Sequence, residues 1–188
     1  MEALLTAFVG AALAEWGDKT HFLVMALAAR FGRPGQILAG VALAALAGSA
    51  IAAVAGSLLA GLITIRALTL LVAVALLFAG IAGLIGERAP ERALKWTQAP
   101  FLAAAIGFFV VEFGDRSQFL TFAIAARYDS ALLAALGATA GLIAASVPAT
   151  LLGKQLAKAV PMRGIKTGVA CLFLLAGLVV AVQALRLI

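Results

Sequence analysis

The sequence predicts an all-α polytopic membrane protein, with six transmembrane helices arranged as two inverted three-helix repeats. Three observations carry this expectation. Apolar residues make up 65% of the 188-residue chain and charged residues only 12%, with a mean hydropathy of +1.16; a soluble domain is about one quarter charged. The apolar residues fall in long uncharged runs, each enough to cross a hydrocarbon core roughly 30 Å thick. Finally, a segment of the first half recurs without gaps in the second half, at an offset of 97 residues.

Six spans are expected at about 3–30, 36–62, 66–86, 99–127, 131–157 and 164–186. Arg33-Pro34-Gly35 ends the first, because Pro disfavours helix in the residue before it. The polar stretch Gly86-Glu87-Arg88-Ala89-Pro90-Glu91-Arg92 is the hinge between two repeats, 1–90 and 91–188. Pro161-Met162-Arg163-Gly164 separates the last two spans, and Pro148 should kink the fifth. The first and fourth spans exceed the roughly 20 residues that a perpendicular helix needs, so each should tilt, bend or break. No sizeable soluble domain is left over.

The net charge of +6 does not point to nucleic acid, since the basic residues sit singly or in small groups between apolar runs. They set topology instead. The odd-numbered loops hold nine Lys and Arg, the opposite side three (Arg66, Arg127 and Arg186). The positive-inside rule then puts the odd loops in the cytoplasm and both termini outside. The N-terminus lacks the basic n-region of a cleavable signal peptide, so the first span should be retained. Cys171, the single cysteine, lies in an apolar run and is expected to pack inside it.

Residues 15–31 (EWGDKTHFLVMALAARF) match 112–128 (EFGDRSQFLTFAIAARY) at nine of seventeen positions. The same offset relates Gly40 to Gly137, Ser49 to Ser146, Gly56 to Gly153 and Gly80 to Gly177. Three spans per unit is an odd number, so the second unit must enter the bilayer from the opposite side. Inverted repeats of this kind are a recurring transporter architecture, with the site at the midplane between them.

Of the eight acidic residues, Glu2, Glu87, Glu91 and Asp129 fall at ends or in loops, where solvated charge is the ordinary role. Glu15, Asp18, Glu112 and Asp115 fall mid-span. A charge there costs from about 3 to well over 10 kcal/mol unless it is paired or faces water, so these four mark a candidate site. On an unbroken helix Glu15 and Asp18 share a face, as do Glu112 and Asp115. Pseudo-symmetry would gather all four into a nest suited to a hard divalent cation such as Ca²⁺, Mg²⁺ or Mn²⁺. Thr20, Ser117 and Gln118 offer neutral oxygens. His21 stands where the second repeat has Gln118, and is either an imidazole ligand favouring a transition metal or a packing residue. Lys19 and Arg116 follow Glu15 and Glu112 by four, as intrahelical charge compensation or as movable counter-charges. Gly17 and Gly114 allow a backbone bend or close packing. Trp16 and Phe113 are expected to pack beside the site.

Glu15-Trp16-Gly17-Asp18-Lys19-Thr20 and Glu112-Phe113-Gly114-Asp115-Arg116-Ser117 both match E-x-G-D-[KR]-[ST]. The doubled pattern resembles the signature of a family of small cation/proton exchangers that includes bacterial manganese exporters and Golgi and chloroplast manganese/calcium transporters. The resemblance covers the whole chain. It implies export of Mn²⁺ or Ca²⁺ in exchange for H⁺, with the four motif acids as metal ligands and no resident cofactor. The absence of a targeting extension fits a bacterial inner-membrane member. His21 and the short central loop are not fixed by the signature.

Other classes explain less. An uncoupled cation channel would use the same ligands along a continuous pore, and an exporter of small organic solutes would carry a less acidic site. An intramembrane aspartyl protease would pair Asp18 with Asp115, but Glu15 and Glu112 replace the first glycine of its G-x-G-D pattern. A helper without transport activity leaves the four acids unexplained. No enzyme activity and no nucleic-acid partner are expected; the partners are a divalent cation and the bilayer. Topology is directly testable. In a Cys171→Ser background, an impermeant maleimide added to intact cells should label a cysteine at position 129 and not one at position 33; the reverse pattern would invert the orientation.

Overall fold

The computed structural model describes residues 1–85, 97–153 and 161–185, and among them it contains eight α-helices and no strand. In chain order these are α1 (Glu2–Glu15), α2 (Lys19–Phe31), α3 (Pro34–Ala60), α4 (Ile65–Leu84), α5 (Pro100–Glu112), α6 (Arg116–Tyr128), α7 (Ala131–Leu152) and α8 (Met162–Leu185). Four of them, α3, α4, α7 and α8, are long and apolar enough to cross a membrane singly. The expected first and fourth spans are not continuous. Each is two half-helices, α1–α2 and α5–α6, of 13 or 14 residues. At about 1.5 Å per residue each half is about 20 Å long, roughly half a membrane with its interface. The hinge at 86–92, with Glu87 and Glu91, and the loop residues Lys154 and Lys158 lie outside the described residues.

The halves interleave. α1 packs on α7 and α5 on α3; α3 meets α7 at the centre, and α4 meets α8. α8 turns much of its surface outward, with Leu172, Leu175, Leu178 and Val179 exposed as a lipid-facing helix requires. Cys171 shares that exposed surface, so it is not the interior packing residue expected from its apolar run. Pro148 lies within α7.

Small residues make the interleaving possible. A Cβ on Gly40 would lie 2.5 Å from the Phe101 carbonyl oxygen, and one on Gly137 would collide with the Leu4 carbonyl. Phe101 and Leu4 are themselves related by the 97-residue offset. Likewise Gly80 receives Leu174 while Gly177 receives Leu77. Each contact therefore recurs with the halves exchanged. With no apolar driving force between helices in lipid, such backbone-to-backbone approach is what gives them contact area. Even the helix ends correspond: α2 and α6 close at Gly32 and Asp129, both left-handed, with N–H bonds to the equivalent carbonyls of Ala28 and Ala125.

These contacts predict matched sensitivities. Gly40→Ala and Gly137→Ala should each lower the melting temperature in detergent, with overpacking costing about 1–3 kcal/mol. Gly168→Ala, in open space on α8, should leave it unchanged or slightly higher. Equal melting temperatures for all three would contradict the close approach.

Candidate metal centre

Both signature motifs sit where a span breaks. Glu15 is the last residue of α1, and Trp16-Gly17-Asp18 leads to α2, with Asp18 at its N-cap. Glu112 ends α5, and Phe113-Gly114-Asp115 leads to α6, with Asp115 at its N-cap. The two breaks have one shape. Trp16 and Phe113 are extended, at φ −64° and −62°, and Gly17 and Gly114 adopt φ +73° and +76°. A residue with a Cβ is strained at such φ, so glycine is the residue that fits. The Asp18 N–H donates to the Glu15 carbonyl at 3.1 Å, and the Asp115 N–H to that of Glu112 at 3.0 Å. Because each helix ends between Glu and Asp, the three-residue spacing does not place them on one continuous helical face. In the first motif the turn brings Glu15 and Asp18 together instead.

The basic residues pair crosswise. Arg116, only 3% exposed, donates to Asp18 Oδ1 at 2.6 Å and to the Ala14 carbonyl at 2.8 Å. Lys19 Nζ lies 3.0 Å from Asp115 Oδ2. These ion pairs join one motif to the other; of the two readings of Lys19 and Arg116, intrahelical pairing with Glu15 and Glu112 is not what is found, because the break removes the i,i+4 geometry that it needs. The negative C-terminal end of α1, through Ala14, adds to the hold on Arg116.

Three of the four acids converge. Glu15, Asp18 and Glu112 are all buried, and each offers a carboxylate oxygen within 4.8 Å of the other two. Oxygens bound at roughly 2.1–2.5 Å on opposite sides of one cation stand up to about 5 Å apart, so the spacing admits a shared ion. Glu15 Oε1 and Glu112 Oε2 have no hydrogen-bond partner among the described residues. The fourth acid, Asp115, lies outside this cluster and is engaged by Lys19. Of the neutral candidates, the Thr20 hydroxyl donates to Asp18 Oδ2 at 3.2 Å and Ser117 donates to Glu112. Gln118 Oε1 accepts the Gly114 N–H at 3.2 Å. His21 is fully buried with its ring 5.6 Å from that of Trp16. Phe113 is 58% exposed, so it does not pack against the site as Trp16 does.

The surroundings of the two breaks differ. Beside the second, Gly114, Gln118, Phe119, Ala52 and Phe78 line a cavity of about 350 Å³. Beside the first, α8 covers Gly17: the Lys166 Cβ lies 3.2 Å and the Met162 carbonyl 3.4 Å from where a Gly17 Cβ would stand. The space there, among Ala14, Trp16, Arg116 and Lys166, has no room for a water molecule. Sequence reasoning treated Lys166 only as a topology-setting charge. Its position one turn into the last span was the available signal. The Ala14 carbonyl carries no side-chain signal at all.

The family described as Divalent cation/proton antiporter GDT1 matches this chain over residues 3–91 and again over 100–187. A relative from Vibrio cholerae, described as "Putative manganese exporter", is 36% identical over 184 residues, covering 96% of this chain and 91% of its own length. No solved structure matches. The two family matches each contain one break and one signature motif, so the repeat, the geometry and the comparison coincide. The family transports cations across membranes and is not a family of enzymes; this chain, a multi-pass membrane protein, belongs to the GDT1 family of divalent cation/proton antiporters.

Proposed function

We propose that the protein exports Mn²⁺, with Ca²⁺ as a second substrate, across a bacterial inner membrane in exchange for protons. The observation that carries this reading is the convergence of Glu15, Asp18 and Glu112 between two mid-span breaks. With Lys19 and Arg116 set against Asp115 and Asp18, the two glutamates leave a formal charge of −2, suited to one divalent ion. Thr20 and Ser117 supply neutral oxygens beside them, and Asp115 enters the ligand set when Lys19 releases it. Protons compete for the same carboxylates. A site that exposes those carboxylates alternately to each side, holding either metal or protons, performs antiport without a nucleotide.

The same proposal gives the chain six crossings, two of them broken, in two oppositely inserted halves. Support comes from contacts that recur with the halves exchanged, including Lys19–Asp115 against Arg116–Asp18. The covered first break and the cavity at the second are then one of two access states. Exchanging the environments of the two breaks gives the other. Half-helix termini facing a midplane site are the usual way that transporters present backbone charge to an ion.

Two outcomes test this. Asp18→Asn should reduce Mn²⁺ transport by roughly two orders of magnitude, because it leaves buried Arg116 without its counter-charge and removes a ligand charge. Asp115→Asn should be severe too, while exposed Glu2→Gln should have no effect. If flux assays found the second-repeat acids dispensable, the shared site would be wrong. In proteoliposomes with an acidic lumen, external Mn²⁺ should enter as lumenal protons leave. Full-rate uptake with no lumenal alkalinisation would replace antiport by uniport or a channel.

A further inference from the structure

α4 and α8 are bound to each other at the middle and at both ends. In the middle Gly80 receives Leu174 and Gly177 receives Leu77. At one end Arg66 donates to the Ala184 and Leu185 carbonyls at 2.7 and 2.9 Å. At the other, Lys166 Nζ donates to the Ile85 carbonyl at 3.1 Å. This pair meets the remaining helices unequally. α4 lies along α6, whereas among the described residues α8 has no comparable contact with α2. An apolar cleft of about 500 Å³, bordered by Val9, Leu13, Ile124 and Leu172, runs between α8 and the helices α1 and α6.

Three contacts seat α4 on α6. Arg127 Nε donates to Thr69 Oγ1 at 2.8 Å, and the Phe78 and Phe119 rings meet edge-on at 5.8 Å. A Cβ on Gly83 would lie 3.3 Å from Arg116 Nη1. The 97-residue offset converts these into Lys166 with Arg30, Leu175 with Phe22 and Val180 with Lys19, which is α8 lying along α2. The apolar contact survives that exchange and the polar one does not. Thr69 can accept from Arg127 because its own proton goes to the Ile65 carbonyl at 2.8 Å. Lys166 has only donors, and its charge repels that of Arg30. Arg30 instead donates to Gln98 Oε1 at 3.2 Å.

We propose that α4 and α8 move as one body that rests alternately on α6 and on α2, and that the Arg127–Thr69 bond latches the first position while Lys166 denies the second an equivalent latch. The inference rests on the alternating-access reading of the metal centre, and adds to it the moving part and the resting position. With α4 on α6, Met162 and Lys166 of α8 cover Gly17, and the cavity beside Gly114 is open. With α8 on α2, the same offset brings Ile65 and Thr69 of α4 over Gly114. Thr69 must leave Arg127 to get there. The carrier therefore waits in the latched position between cycles.

Cross-linking in a Cys171→Ser background tests this. Phe78→Cys with Phe119→Cys reports the first position and Phe22→Cys with Leu175→Cys the second, each pair bridged within the chain by a short bis-thiosulfonate. Thr69→Val keeps the side chain's shape but cannot hold Arg127. It should raise the bridging rate at positions 22 and 175 about tenfold, the effect of losing one hydrogen bond to a charged group. Lys166→Thr should raise that rate as well. Bridging positions 78 and 119 should stop Mn²⁺ flux in proteoliposomes until the bridge is reduced. A disulfide joining Leu77→Cys to Gly177→Cys, within the moving body, should leave flux intact. Flux in the reduced form shows that each variant folds, and where Gly177→Cys does not, the rate at 22 and 175 decides alone. Positions 22 and 175 that never bridge, a bridging rate indifferent to Thr69→Val, or flux lost on joining α4 to α8 would overturn the inference. Bridging as expected in a Cys171→Ser protein that carries no Mn²⁺ would overturn the transport reading and leave the moving body standing.

Discussion

Ionised side chains deep in the membrane must be compensated where they stand, and the rest of this structure follows from that requirement. Glu15, Asp18, Lys19, Glu112, Asp115 and Arg116 all fall in the middle of otherwise apolar segments. Each unpaired charge would cost from about 3 to well over 10 kcal/mol. The compensation of the two aspartates is crosswise, Arg116 to Asp18 and Lys19 to Asp115, so each motif supplies the base for the other's Asp, and Glu15 and Glu112 stand outside these two pairs. That mutual dependence explains why the two breaks face each other and why each helix stops between its Glu and its Asp. Ending a helix there also aims free peptide groups at the centre. The Ala14 carbonyl on Arg116 is one of them.

Bringing the breaks together requires the surrounding helices to approach closely, which is the role of the glycines on α3 and α7. Gly40 seats α5 through Phe101, and Gly137 seats α1 through Leu4. These two close approaches are thus equivalent in the two halves. The immediate neighbours of the breaks are not. Met162 and Lys166 cover Gly17, whereas the space beside Gly114 is open.

Much of this was legible in the sequence. The doubled motif, its offset and the mid-span position of its acids follow from counting residues, and over-long first and fourth spans announced that something must give. What stayed hidden is tertiary. The i,i+4 spacing of Glu15 and Lys19 suggests a local pair, and only the left-handed turn at Gly17 redirects that charge across the interface. Cys171 looks buried because lipid-facing and protein-facing surfaces are equally apolar in a membrane helix, so hydropathy cannot tell them apart. Asp115 has the same motif context as Asp18 yet lies outside the converged cluster, a difference of environment that no repeat alignment carries.

The central claim is that one centre is assembled from both motifs. Equilibrium binding of Mn²⁺ to the purified protein, titrated calorimetrically, addresses it most directly. The account predicts one high-affinity Mn²⁺ per chain, abolished by Glu15→Gln and equally by Glu112→Gln. Two ions per chain, with each substitution removing one and sparing the other, would show two independent half-sites and contradict it.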